Sequence, residues 1–143
     1  MLNTDFELKL TTILESDTKP FKAAVAIVKH GDKWLLGLSS SSDDRQNTWC
    51  HPGGGIKNGE SAIKAAEREC FEETGVKVTA IGGLFEMKDW PRVAFVPCRA
   101  TSDKKVKPNS EFMALGWFKD SQISKLKQLY KNAKELIRKA KKF

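Results

Sequence analysis

Residues 54–76, GGIKNGESAIKAAERECFEETGV, constrain this chain more than any other stretch. They open on glycines, pass through a short polar turn and become a helix-like run. Ser61 suits the N-cap of that helix and Gly75 the glycine that ends it. At about 100° per residue, Glu69, Glu72 and Glu73 project from one helix face. Helix stability alone opposes such a pattern. Like charges four apart cost up to ~0.5 kcal/mol, and carboxylates in the last turn face the negative end of the helix dipole at roughly 0.3–1 kcal/mol each. Arg68 is one cation among three anions. Several local rules broken together mark a site, and clustered carboxylates suit a hard divalent cation that takes oxygen ligands.

The same residues resemble the Nudix signature, G-x5-E-x7-R-E-U-x-E-E-x-G-U, in which U is a bulky apolar residue. Gly54, Glu60, Arg68, Glu69, Glu72, Glu73, Gly75 and Val76 all fall in register. Cys70 is the one departure, and Cys behaves as a small buried hydrophobe. Ahead of them, Trp49, Pro52, Gly53 and Gly54 are similar to the family's W-x-x-P-G-G lead-in. The resemblance implies an α/β fold, a Nudix-type α/β/α sandwich with a mixed central sheet, and residues 54–76 as its loop–helix–loop motif. It also implies a hydrolase that cuts the pyrophosphate bond of a nucleoside diphosphate linked to a group X, with Mg2+ or Mn2+ as cofactor.

By position, the resemblance implies Glu72 and Glu73 as the main metal ligands and the Gly53 carbonyl as a backbone ligand. Glu69 would bind metal or deprotonate the attacking water. Arg68 would orient a box carboxylate, Glu72 foremost, and Glu60 would brace the loop. Gly54 and Gly75 complete the structural positions. Glu111 stands six residues before Trp117, the spacing of a metal-binding glutamate in MutT-like members; a surface strand glutamate is the simpler alternative.

Length and composition fit a single domain over residues 1–143 with an ordinary globular core. No apolar run approaches the ~18 residues of a membrane span, and the acidic N-terminus does not suit a signal peptide. Three cysteines give no disulfide framework, so a reduced, cytoplasmic protein is expected. The net charge of +7 is concentrated. Residues 125–142 hold eight basic residues and one acid, and the rest of the chain is balanced.

Residues 1–19 fit strand or helix about equally. Residues 21–28 form a continuous apolar run and read as a buried strand. A turn at 30–32 leads to a strand at 33–38. The polar loop 39–48 reads as a plain linker, with gating of a site as the lesser alternative. Strands follow at 76–85, bent at Gly82 and Gly83, and at 93–100, where Pro97 suggests a bulge or edge. A loop at 102–110 and a strand at 111–118 precede one basic amphipathic helix over about 121–142.

Substrate identity is less legible. Trp34 and Trp90 could stack a base, although each could equally be core or rim. Pro91 fits both an ADP-ribose pattern and a nucleoside triphosphate pattern. Cys50 and His51 lack the partners that Zn2+ requires, and His51 reads more simply as a solvated loop side chain. The expected partner is a small nucleotide. The basic helix admits an RNA 5′ end as a weaker alternative, since lysines on a packed helix are common. A non-catalytic nucleotide sensor is a third reading, disfavoured because the box glutamates are all present.

Overall fold

The structure, a computed structural model, describes residues 21–103, 106 and 109–143. The expectation for residues 1–19 lies outside these. A mixed sheet forms the centre. Its strands are β1 (Ala23–His30), β2 (Lys33–Ser39), β3 (Trp49–Cys50), β4 (Gly53–Gly55), β5 (Val78–Ala80), β6 (Phe85–Met87), β7 (Trp90–Ala100) and β8 (Phe112–Lys119). The order is β3-β2-β1-β7-β5, with β4 on β1, β6 on β7 and β8 on β2. β1 and β7 run parallel from Ala23 against Val93 to Lys29 against Arg99, and the other pairs are antiparallel.

Strand alternation divides the apolar runs between two cores. Ala24, Ala26 and Val28 of β1, Leu35 of β2, and Ala94, Val96 and Cys98 of β7 face helix α1 (Ala62–Thr74), meeting Ala62, Ala65, Ala66 and Cys70. Ile27, Trp34, Leu36 and Phe95 face the opposite way, onto Ile123 of the short helix α2 (Asp120–Ile123) and Leu136, Ile137 and Ala140 of α3 (Ala133–Ala140). Both sheet faces are covered, which is why β1 reads as unbroken apolar sequence. The result is the expected α/β/α sandwich.

Three details differ from the sequence expectations. The strand expected over 76–85 is split into β5 and β6. Pro97 is neither bulge nor edge: it lies in β7, between β1 and the β5/β6 side, opposite Ile27. Its carbonyl accepts from Ile81 N–H at 2.9 Å. A residue's N–H and C=O point to the same side of a strand, so the missing donor falls in the gap between β5 and β6. The basic helix expected over 121–142 is two helices, α2 and α3. Gln128 between them has φ +44°, Leu129 forms a parallel bridge to Trp49, and backbone bonds Gln128 O to Trp49 N and Trp49 O to Tyr130 N tie this turn to β3. Bonds to the sheet replace the helical ones that the apolar spacing suggested.

Candidate functional site

Helix α1 carries the site. Ser61 Oγ caps it by accepting from Lys64 N–H at 3.1 Å, and Gly75 closes it in the left-handed conformation, φ +76°. Arg68 is the hub of the charged face. Its Nε and Nη2 bind the two Glu60 oxygens at 2.7 and 2.9 Å, a bidentate fork that clamps the preceding loop to the helix. Nη2 also donates to the Gly55 carbonyl at 2.9 Å. Nη1 reaches Glu69 at 2.9 Å and Glu72 at 3.1 Å. The expected orienting contact to Glu72 is therefore present, yet the paired hydrogen bonds go to Glu60. That fork holds the Glu60 carboxyl down at about 2, and fixes Arg68 in its charged form.

Glu73 behaves differently. It is 7% exposed, and its Oε1 accepts from the Gly53 N–H at 3.1 Å. Burial pushes its carboxyl up to about 8, and the neighbouring Glu69 and the charge of Glu111 push the same way, against the Gly53 hydrogen bond. Glu69, Glu73 and Glu111 thus form one electrostatic group, although Glu111 comes from the far side of the sequence, immediately before β8. Asn109 supports this arrangement. Its side-chain amide donates to the Glu73 carbonyl, and its Oδ1 accepts from Glu111 N–H at 2.8 Å. Nothing in the sequence pattern singled out Asn109.

The glycines permit close approach. A Cβ on Gly54 would lie 2.5 Å from Glu69 Cδ, and one on Gly53 would lie 2.6 Å from the Ala24 carbonyl oxygen. Only residues without side chains let β4 run between β1 and the carboxylates.

The donor set suits a hard divalent cation: oxygen donors only, mutually repelling, with burial and neighbouring carboxylates favouring the protonated form of Glu73 where no cation is bound. Among the described residues, no three acidic, His or Cys side chains form a closed cage as they stand. Arg68 draws Glu69 and Glu72 into its own fork.

Beside Gly53, Gly54 and Gly55 opens a cavity of about 360 Å3. Val25, Val93, Phe95 and Leu136 give it apolar walls, and Trp90 and Tyr130 stand at its aromatic side. Lys131 Nζ lies 5.7 Å from the Trp90 ring and 5.9 Å from the Tyr130 ring. Of the two tryptophans expected to stack a base, Trp90 lines this cavity. Trp34 does not: the alternation of β2 turns it into the core, 5% exposed, against the layer built by α3.

The polar loop between β2 and β3 is more than a linker, because Asp44 and Arg45 also line the cavity. Tyr130 Oη donates to Asp44 at 3.0 Å. Arg45 is held by Asp43 at 2.8 Å, and this contact depresses the Asp43 carboxyl far below the usual range. His51 corrects the expectation of a solvated side chain. It is 5% exposed and lines the cavity, since β3 and β4 bury the segment that joins them. Burial drives its imidazole down to about 4; the Ala133 backbone opposes that shift without reaching hydrogen-bonding geometry. Cys50, also lining the cavity, is pushed up to about 11 by burial and is an unreactive thiol.

A family model described as NUDIX domain matches residues 19–140. An RNA pyrophosphohydrolase of Bartonella bacilliformis is 32% identical over 88 residues, covering 57% of this chain and 51% of that protein. The chain thus spans about half the length of the curated relatives it matches. Among solved structures, a NUDIX-family hydrolase from Clostridium perfringens superposes with a TM-score of 0.69 at 19% identity, covering 85% of this chain and 96% of the other. An Ap4A hydrolase from C. elegans gives 0.66 at 22% identity, covering 85% and 97%. These two likenesses concern the fold. The family rests on the match across nearly the whole chain and on the signature lying, in register, along α1: the chain belongs to the Nudix family.

Proposed function

We propose that this domain hydrolyses the pyrophosphate bond of a nucleoside diphosphate linked to a group X, in a reaction that depends on a divalent cation. One observation carries the reading. Glu73 is a buried carboxyl, raised by burial and by Glu69 and Glu111, whose Oε1 accepts from the Gly53 N–H at 3.1 Å, and Gly53, Gly54 and Gly55 line the cavity. A stable helix has no use for such a group, and a cation-binding site does.

Glu69, Glu72, Glu73 and Glu111 would hold Mg2+ or Mn2+, joined by the Gly53 carbonyl. That carbonyl projects to the same side of its strand as the N–H already bonded to Glu73, which supports its role. When bound, the cation would neutralise phosphate charge and lower the pKa of water. The chain's own residues do the rest. Arg68 holds Glu69 and Glu72 in fixed positions. Gly54 admits the Glu69 carboxylate close to the backbone, where it can accept a proton from water. The glycine strand lets the polyphosphate approach, and the cavity beside it takes the nucleoside. Catalysis of this kind is positioning and electrostatics.

An RNA 5′ end is the second reading for X. It is supported by Lys131 at the aromatic side of the cavity, within the segment that carries the whole net charge, and by the name of the curated relative. The deciding experiment is phosphate and pyrophosphate release with Mg2+ across nucleoside triphosphates, ADP-ribose, dinucleoside polyphosphates and 5′-triphosphate RNA. Release from at least one is expected. Tight binding of one with release from none would replace the hydrolase by a nucleotide sensor.

A further inference from the structure

The four carboxylates assigned to the cation differ in how they are held. Glu69 and Glu72 bind Arg68, and Glu73 accepts from the Gly53 N–H. Glu111 is the exception. Its carboxylate has no hydrogen bond or ion pair among the described residues, although its charge reaches Glu73. Its place is therefore set by the main chain around it. Asn109 supplies one tie. Its Oδ1 accepts from Glu111 N–H at 2.8 Å and from Phe112 N–H at 3.1 Å, and its own N–H donates to the Phe112 carbonyl at 2.9 Å. Asn favours such side-chain-to-backbone turns. Its amide nitrogen then donates to the Glu73 carbonyl, one of the carbonyls that a helix end leaves without an intrahelical partner. Ser40 supplies a second tie. Its N–H donates to the Glu111 carbonyl at 3.1 Å, and its hydroxyl to the Ser110 carbonyl at 2.5 Å.

We infer that Asn109 is a positioning residue for the cation site: by joining the main chain of Glu73 to that of Glu111, it sets the spacing of those two carboxylates. The inference rests on the divalent-cation reading above and adds to it a residue that is itself no ligand. That the tie runs to α1 is what matters. Glu111 precedes β8, which pairs only with β2 among the described residues. The sheet and Ser40 therefore place Glu111 relative to β2 and the loop after it. Asn109 places it relative to the helix that carries Glu69, Glu72 and Glu73. Mg2+ tolerates little departure from octahedral geometry, so a ligand whose carboxylate is unsupported must be fixed through its backbone. Groups standing behind metal ligands orient them in this way. The chemistry selects an amide. A hydroxyl would serve the turn, whereas a carboxamide accepts within the turn and donates across to the helix at once. Asn109 is exposed, so core packing does not account for it.

The test is a double-mutant cycle read on metal binding alone, with Mn2+ as the probe and the free ion counted by electron paramagnetic resonance. Glu111→Gln and Asn109→Ala should each weaken Mn2+ binding, Asn109→Ala by about tenfold to a hundredfold. In the Glu111→Gln background, Asn109→Ala should cost less than about threefold more, because the carboxylate it positions is already gone. A merely structural role would loosen all the ligands together and multiply the two losses. Asn109→Ser keeps an oxygen for the turn and is too short to reach the Glu73 carbonyl. It should behave like Asn109→Ala, and it decides the matter if Asn109→Ala fails to fold in a thermal melt. Wild-type Mn2+ affinity in the folded Asn109 variants would overturn the inference, as would multiplied losses or a Glu111→Gln protein that binds like the wild type. Binding is read without turnover. Coupled losses with no hydrolysis of any substrate would remove the hydrolase reading alone, and metal-dependent hydrolysis with multiplied losses would remove the positioning role alone.

Discussion

Glu73 links the stability of this protein to its chemistry. Its carboxyl group is raised from 4.5 to about 8 in the folded chain, chiefly by burial. The folded state therefore holds a proton that the unfolded state has already released between those values. The stabilisation is complete below about pH 4.5 and is lost as the pH rises through about 8. The metal-free protein should melt at progressively lower temperature from about pH 6.5 to pH 9, above the range in which the buried imidazole of His51, lowered to about 4, shifts stability the opposite way. Glu73→Gln should flatten that decline, because its amide still offers the Gly53 N–H an oxygen and carries no charge. The difference at pH 9 should be of the order of a few kcal/mol. Added Mg2+ should restore the wild type at high pH and should do little for the variant; near pH 7, where Glu73 still holds its proton, Mg2+ binding should release it in a calorimetric titration. The same substitution should abolish Mg2+-dependent turnover. A flat wild-type melting profile, or near-normal turnover in Glu73→Gln, would remove Glu73 from the cation site.

At the scale of elements, the box helix was legible because its ends follow local rules while its charges break them together in one short run. Ser61 caps, Gly75 terminates, and Ala62, Ala66 and Cys70 pack. The C-terminal pattern misled for a nonlocal reason. Leu126, Leu129 and Leu136 keep helical spacing, yet bonds from Trp49 to Gln128 and Tyr130 break the helix, and no window around residue 128 contains that information. His51 and Asn109 were illegible likewise, their environments being built by segments distant in sequence. The two neighbouring glycines of β4 separate site from scaffold. An alanine methyl at Gly54 would meet first the flexible end of Glu69, at 2.5 Å, whereas one at Gly53 meets the Ala24 carbonyl, at 2.6 Å. Gly54→Ala should thus displace Glu69, lowering turnover at least tenfold while changing stability by less than about 1 kcal/mol. Gly53→Ala should instead strain the β1–β4 pair and cost about 1–3 kcal/mol in denaturant melts. Equal stability losses in the two variants would refute this division.

Across the whole molecule, charge and site are joined in a way that bears on what X is. The net +7 resides in residues 125–142, and that segment also supplies Tyr130, Asn132 and Leu136 to the cavity. No helix among the described residues is long and apolar enough to cross a membrane, and the apolar stripe of α3 packs on the sheet it covers. Lys134 of α3 is exposed, and Lys131, just before the helix, lies over the Trp90 ring at the cavity. An RNA substrate would bring more phosphates to these cations than a free nucleotide does. Counterion release makes the affinity of single strands fall with salt, by a log–log slope of about 0.7 for each phosphate contacted. If RNA is the substrate, KM for a 5′-triphosphate oligonucleotide should rise steeply between 50 and 200 mM KCl, by about tenfold for two or three contacts. KM for the matching nucleoside triphosphate should rise less, and Lys131→Glu with Lys134→Glu should reduce the RNA slope while sparing the nucleotide. Parallel slopes for the two substrates would mean that the basic segment is a solvated helix face and that X is a small group.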